Sequence, residues 1–439
     1  MSGPKLIDKD TALVYNSALN LFGRPSTDVS IVRSFNREVL PQNSRDQHPL
    51  LFILHNDNLW FDLSRVYMHF RVCMEKESEG KWIPIDATDT LTGVIDSLGQ
   101  TFWQQVKLAA GTTEIYDGKL YHYKTIITNQ LSFPQNTKAN FLQSIGHYPS
   151  KNHNSSTDTG FGSRCAQVAN GRTAEFFARL DFDLGNQELY MINNMELLFT
   201  LYRAPDKFLV QCLRPDNTTR YRLSLQYCKM FVKMIEVEPN FNLRVYRDLE
   251  NGPAKYQLRK TIVKNCYLSQ GRTEVDMDIF SSELPRRVTV CFVDHRAYDG
   301  HQQLTPFNFR PFNLREVTVK AGGYNYPHVP YDLDFEQGFC VRPYVDMYEA
   351  TGRANSSENG CDISLEKYKD GWTMFTIPLT STLDDSCGAE LVRSGATTVR
   401  LLFSQPVPEH GIDMIVLGEF DQILFVDYLR RVVADNSVN

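Results

Sequence analysis

The stretch from Arg286 to Met347 reads RRVTVCFVDHRAYDGHQQLTPFNFRPFNLREVTVKAGGYNYPHVPYDLDFEQGFCVRPYVDM. Val288, Val290 and Phe292 recur at every second position. Successive side chains of a strand point to opposite faces, so this period makes a strand with those three residues on one face. A loop follows and ends in Pro306-Phe307-Asn308-Phe309. A second strand runs from Leu314 to Lys320, closed by Gly322-Gly323 and a Tyr/Pro-rich turn. No reaction chemistry stands out in this stretch.

The same rhythm extends in both directions. Toward the C-terminus, strands are predicted at Trp372–Leu379, Thr397–Phe403 and Asp413–Val426, and upstream at Lys255–Cys266. In the N-terminal half they are predicted at Val29–Val32, Leu50–His55, Val66–Met74, Phe102–Leu108, Thr173–Leu184, Met195–Tyr202, Lys207–Cys212 and Tyr221–Val237. Each is rich in β-branched or aromatic residues, and turn residues bound most of them. Glu238-Pro239-Asn240 and Asn251-Gly252-Pro253 break the pattern, which places a domain boundary near Asn240. The expected organisation is an arm over 1–27, a first β domain over 28–240, a second over 241–433 and a tail over 434–439. Many strands with little helix indicate a sandwich or barrel in each half.

The halves also resemble each other. Val106–Gly111 is similar to Val319–Gly323, Gly171–Phe176 to Gly371–Phe375, and Leu197-Leu198-Phe199 to Leu401-Leu402-Phe403. The three matches keep their order at a separation of about 200 residues, as an internal duplication requires. Two segments break the strand rhythm in corresponding places. Asp117–Leu131 and Glu336–Ala350 carry helical spacing, with Pro343 confined to the start of its helix or to a kink. The longest irregular stretch, Phe133 to Gly171, is rich in Pro, Asn, Ser and Gly. It reads equally as an exposed functional loop or as a simple excursion.

Bulk properties narrow the function classes. The chain of 439 residues is 42% hydrophobic, enough for a substantial core in each half. Its formal net charge of −6 argues against a protein that coats nucleic acid along its length. No apolar run approaches the roughly 18 residues that a membrane span needs, and the charged start MSGPKLIDKD lacks a signal-peptide core. Synthesis in the cytosol is therefore expected. Nine scattered cysteines, an odd number without C-x-x-C spacing, read as reduced thiols.

From Arg286 onward the sequence resembles the second barrel of double jelly-roll major capsid proteins. These hexon-like proteins are carried by Maverick/Polinton-type viruses and virus-like elements. The resemblance rests on the Pro306-Phe307-Asn308-Phe309 loop, Gly371, the Thr398–Phe403 strand, Glu419-Phe420, Asp427 and Arg431, in that order. It covers about 150 residues by strand pairing, and the N-terminal half follows only in outline. It implies an all-β fold of two tandem jelly-roll barrels with short helices in the inter-strand connections. It also implies a structural protein rather than an enzyme, without cofactor: a homotrimeric, pseudo-hexagonal capsomer that builds an icosahedral virion shell around a DNA genome. The implied partners are other copies of the chain and minor capsid or vertex proteins, with no sequence-specific nucleic-acid binding. Outward loops such as Phe133–Gly171 would then build towers on the capsomer.

The residues themselves offer few alternatives. Nucleophile-elbow, phosphate-loop, H-E-x-x-H and dinucleotide-binding patterns are missing. Asp294, His295, Asp299 and His301 are the densest polar cluster and the weak candidates for a metal, although Arg296 adds a positive charge where a cation would sit. His55, Asp57 and Asp62 flank Trp60-Phe61, a pattern that a glycan-binding jelly roll uses, or simply a strand end with core aromatics. Glycan binding is thus the alternative to the capsid reading. The pairs Arg286-Arg287 and Arg430-Arg431 read as contacts to DNA or a neighbouring subunit, or as ordinary ion pairs.

Overall fold

The computed structural model describes residues 8–435 apart from 9, 13, 15, 23, 25, 151, 215–217, 355–359 and 381–390. Its principal strands form two sets of eight. The first set is β1 (Ile31–Val39), β2 (Leu50–His55), β3 (Trp60–Ser78), β4 (Trp103–Ala110), β5 (Thr113–Gly118), β6 (Thr173–Arg179), β7 (Glu196–Arg203) and β8 (Tyr221–Val237). The second is β9 (Ala254–Leu268), β10 (Glu274–Phe280), β11 (Arg287–Asp294), β12 (Leu314–Ala321), β13 (Tyr324–Tyr326), β14 (Phe375–Pro378), β15 (Thr397–Phe403) and β16 (Ile412–Val426).

The sheet orders are β1–β8–β3–β6 and β2–β7–β4–β5 in the first set, and β9–β16–β11–β14 and β10–β15–β12–β13 in the second. Pairing within them is antiparallel. Counted from the first strand of its own set, each half has the same two orders, 1-8-3-6 and 2-7-4-5. Eight strands wound into two facing sheets in this way form a jelly roll. The expected fold, two jelly rolls in tandem, is therefore the fold found.

Alternation builds each core. Leu50, Phe52 and Leu54 of β2 face Val66, Met68 and Phe70 of β3 in the first barrel. Val288, Val290 and Phe292 of β11 meet Val319, Val399 and Leu401 in the second. The three repeated segments fall on the fourth, sixth and seventh strands of both barrels. The turn after the fourth strand is opened by Gly111 at φ +56° in one barrel and Gly322 at φ +57° in the other. That left-handed conformation suits a residue without Cβ.

Among the described residues, four helices of ten or more residues interrupt the strands: α1 (Tyr121–Ser132), α2 (Thr159–Val168), α3 (Pro239–Asn251) and α4 (Val341–Ala350). Helices α1 and α4 follow the fifth strand of their barrels. Pro343 sits in the first turn of α4, where its missing N–H costs nothing. Helix α3 lies between the barrels in sequence. It begins at Pro239, and the Glu238 carboxylate accepts a hydrogen bond from Phe241 N (3.0 Å).

Several expectations need correction. Phe133–Gly171 is not an irregular loop. It folds into Gln135–Ala139, Phe141–Ile145 and α2, with Leu142, Ile145, Phe161 and Val168 buried. Asp158 caps α2 by accepting from Phe161 N (2.9 Å). Lys207–Cys212 starts as a helical turn, Asp206–Leu209, because Pro205 initiates it. The tail expected from Ala434 begins inside a strand, Val432–Asp435, which pairs with Ile423–Val426 of β16. Residues of the expected arm that the structure describes are exposed, with one turn of 3-10 helix at Ser17–Leu19.

Candidate assembly site

The two barrels meet along a continuous apolar seam. Strand β11 explains why. Its even positions Val288, Val290 and Phe292 fill the second barrel, and its odd positions Cys291 and Val293 are equally buried. Those odd positions, with Ile415 and Leu417 of β16, belong to the hydrophobic core of the first barrel. One sheet of the second barrel is therefore apolar on both faces, as a sheet covered on both sides requires.

Helix α1 is the main surface that covers it. Tyr121, His122, Tyr123, Lys124, Thr125, Ile126 and Ile127 are all buried. A helix buried on nearly every side is an internal helix, and its polar side chains must find partners there. The Tyr123 ring lies 5.7 Å from Phe307, 5.8 Å from Tyr298 and 6.4 Å from Phe309, all in the second barrel. Phe208 packs edge-on against Phe307 at 5.8 Å. Truncating such a buried aromatic costs roughly 3–5 kcal/mol.

Polar groups stitch the same seam. Lys124 Nζ donates to Asp183 Oδ1 (3.1 Å), to Asp181 O (3.0 Å) and to Tyr116 OH (3.2 Å). Burial alone would push the ammonium's pKa down, but Asp181, Tyr116 and Asp183 outweigh it and hold the group well above the ordinary lysine value. Burial likewise opposes the charge on Asp181, yet Lys124, Asn186 and Arg179 hold that carboxyl below the carboxylate range. The other oxygen of Asp183 accepts from Thr261 N of β9 (2.9 Å). One buried ionic cluster thereby fixes the first strand of the second barrel. Lys138 reaches across too, donating to Cys361 O (2.5 Å) and Gln130 Oε1 (2.7 Å). Burial pushes its pKa down to about 8. Asn154 Oδ1 accepts from Thr305 N (2.6 Å), and the His153 ring packs against Trp372 at 5.0 Å.

Several motif residues lie on this seam. Phe307 and Phe309 are buried, and Pro306 with them. Phe309 N donates to Gly371 O (2.9 Å), and Thr373 N donates to Phe309 O (3.1 Å). Asn308 lies beside Gly371, which stands at φ +107° under the His153 ring. A Cβ there would come within 2.5 Å of that ring. The remaining motif residues lie in the second barrel and the turn that follows its last strand. Phe403 packs on Phe292 (6.4 Å), Phe420 on Phe280 (5.2 Å), Glu419 binds Arg287 (2.7 Å) and Asp427 binds Arg431 (2.8 Å).

The weak metal candidates are not brought together. Asp294 caps and pairs with Arg296 (2.9 Å), His295 Nδ1 meets Asp413 Oδ2 (2.7 Å), and Asp299 pairs with Lys207 (2.9 Å). His301 Nδ1 accepts from Gln303 N (3.2 Å). No cluster of three or more potential ligands occurs among the described residues. Nor do Trp60 and Phe61 form an open cleft. Phe61 is fully buried, and Trp60 Nε1 donates to Asn242 Oδ1 of α3 (2.8 Å). The arginine pairs are engaged internally, Arg287 with Glu419 and Arg430 with Asn193 O (2.8 Å). The eight described cysteines are free thiols, and Cys387 lies outside the described residues.

Sequence reasoning missed Lys124, Asp181, Asp183 and Lys138. The one usable signal was Lys124 itself, a lysine set among Tyr121, Tyr123, Ile126 and Ile127.

No family model matches the sequence. A protein of Caenorhabditis elegans described as uncharacterized is 26% identical over 400 residues, spanning 89% of this chain and 94% of its own. Solved structures share the fold over nearly the whole length. A chain of the Sputnik virophage superposes with a TM-score of 0.65 at 12% identity, covering 100% of this chain and 95% of that one. The mavirus major capsid protein gives 0.57 at 10% identity (99% and 97% covered). The Faustovirus major capsid protein gives 0.58 at 9% identity (96% and 94% covered). The architecture is that of double jelly-roll capsid proteins.

Proposed function

We propose that this chain is a major capsid protein of Maverick/Polinton type. Three copies form a pseudo-hexagonal capsomer, and capsomers tile an icosahedral shell around a DNA genome. One observation carries the reading: the two barrels, with the same strand order, occupy almost the entire chain, and capsid proteins match it end to end. Three chains of two barrels present six similar sides, the shape of a hexagonal tile. The chemistry is assembly, and no catalytic role is assigned. Minor capsid proteins at the vertices, and virion location after synthesis in the host cytosol, belong to the same proposal. Electron microscopy of concentrated purified protein tests it. Six-sided tiles or closed shells are expected. Uniform particles the size of one chain, without tiles, would contradict it.

A further inference from the structure

The seam inside one chain has a front and a back. The front is the outer face of the second barrel's β9–β16–β11–β14 sheet, at Cys291, Val293, Ile415 and Leu417. The back is the side of the first barrel that carries α1, which follows the fifth strand. Because the chain is duplicated, each surface has a counterpart on the other barrel. Among the described residues, both counterparts keep exposed apolar side chains.

The counterpart of the front is the outer face of β1–β8–β3–β6. There Tyr67 stacks on Phe177 at 4.9 Å, Phe177 lies 5.8 Å from Phe231, and His69 meets Tyr227 edge-on at 4.9 Å. Phe177 is 41% exposed on the edge strand β6, whereas Thr376 on the corresponding strand β14 of the second barrel is 1% exposed. Arg71, paired with Glu175, and Lys229, paired with Glu38, border it. The counterpart of the back is the side of the second barrel with α4. Helix α4 buries Pro343, Met347 and Ala350 against its own barrel but leaves Val341 53% and Val345 42% exposed, beside Phe339 at 60%. Arg342 and Glu349 are exposed on this helix as well, so the strip carries both signs of charge around its valines.

We infer that the aromatic face of the first barrel docks onto the α4 side of the second barrel of another copy of this chain, reproducing between chains the seam found within one. This rests on the capsomer reading and names its contact surfaces. The two surfaces differ, so the contact is head-to-tail, and such contacts form a closed ring when the rotation closes. Apolar faces of this kind on an isolated domain mark interaction sites.

The test uses the full chain with Phe177→Asp or Val345→Asp. Each charge spoils one surface and leaves the other. Light scattering should show a trimer for the unchanged protein and a monomer for each variant alone. An equimolar mixture should give a dimer near twice 50.5 kDa, because one front and one back stay intact. Leu243→Asp on exposed α3 should leave the trimer unaffected. Variants that remain trimeric, or monomeric variants that do not pair on mixing, would overturn this surface assignment while the capsomer reading stands. A monomeric unchanged protein would overturn both. Circular dichroism and the thermal midpoint confirm folding, and Phe177→Ser with Val345→Ser replaces the pair if the acidic variants misfold.

Discussion

Helices α1 and α4 occupy the same place in their barrels and meet opposite fates. Both follow the fifth strand. Helix α1 is buried along Tyr121–Ile127, because the second barrel lies on it. Helix α4 buries only Pro343, Met347 and Ala350. The sequences register the difference. Helix α1 packs Tyr123 against Tyr298 and Phe307 of the second barrel, whereas α4 leaves Val341 and Val345 exposed. Duplication supplied two equal barrels, and the seam made one pair of their surfaces internal.

The largest effect is expected at Lys124. Lys124→Met leaves Asp181 and Asp183 buried without their cation, and removing one partner of a buried ion pair costs roughly 3–5 kcal/mol. Urea unfolding should show a large fall in midpoint. A change no larger than that of a surface variant would mean the cluster is not needed at the seam.

Gly371→Ala should cost less, on the order of 2 kcal/mol, since it strains a left-handed backbone and pushes the added Cβ toward His153. Limited proteolysis should then cut 150–160 sooner than in the unchanged protein. An unaltered digestion pattern would show that the His153 contact with Gly371 does not hold this segment in place.

Acid sharpens the same contrast. Burial pushes the His122 pKa down to about 3 from an ordinary 6.5. The unfolded chain takes up this proton as pH falls below about 6.5, and the folded chain does not. The unfolded state therefore binds more protons between those values, and stability declines across that window while remaining whole above it. The ring contributes a loss of roughly a few kcal/mol by the lower end. His122→Phe should flatten this part of the stability–pH curve, followed by thermal midpoint. An identical slope would assign the acid response to other groups.

The smallest effect belongs to α4. Val345→Ala should change the stability of the separated chain by no more than ~0.5 kcal/mol, as exposed positions do. A loss several times larger would mean that α4 is already packed within one chain.

The fold was legible because alternation was strong where it mattered. Val288-Thr289-Val290-Cys291-Phe292 in β11 and the Leu-Leu-Phe runs of β7 and β15 announced strands by period alone. Other strands were hidden. Strand β5 carries two apolar residues, Ile115 and Tyr116, and β13 spans three residues. Strand β10 alternates Val275, Met277 and Ile279, but acidic neighbours disguise it. The helices after Phe133 were obscured by Pro134, Pro149, Gly160 and Gly162, which usually mark loops. The seam was illegible for a deeper reason. Burial of Cys291 and Val293 depends on the other barrel, and a pattern read within one strand does not record what packs on its far face.

The capsomer reading requires the folded chain to exist as a closed set of three. Size-exclusion chromatography with light scattering tests it most directly. A stable mass near three times 50.5 kDa, unchanged on dilution, is the predicted result. A clean monomer at micromolar concentration with its strands intact by circular dichroism would contradict it.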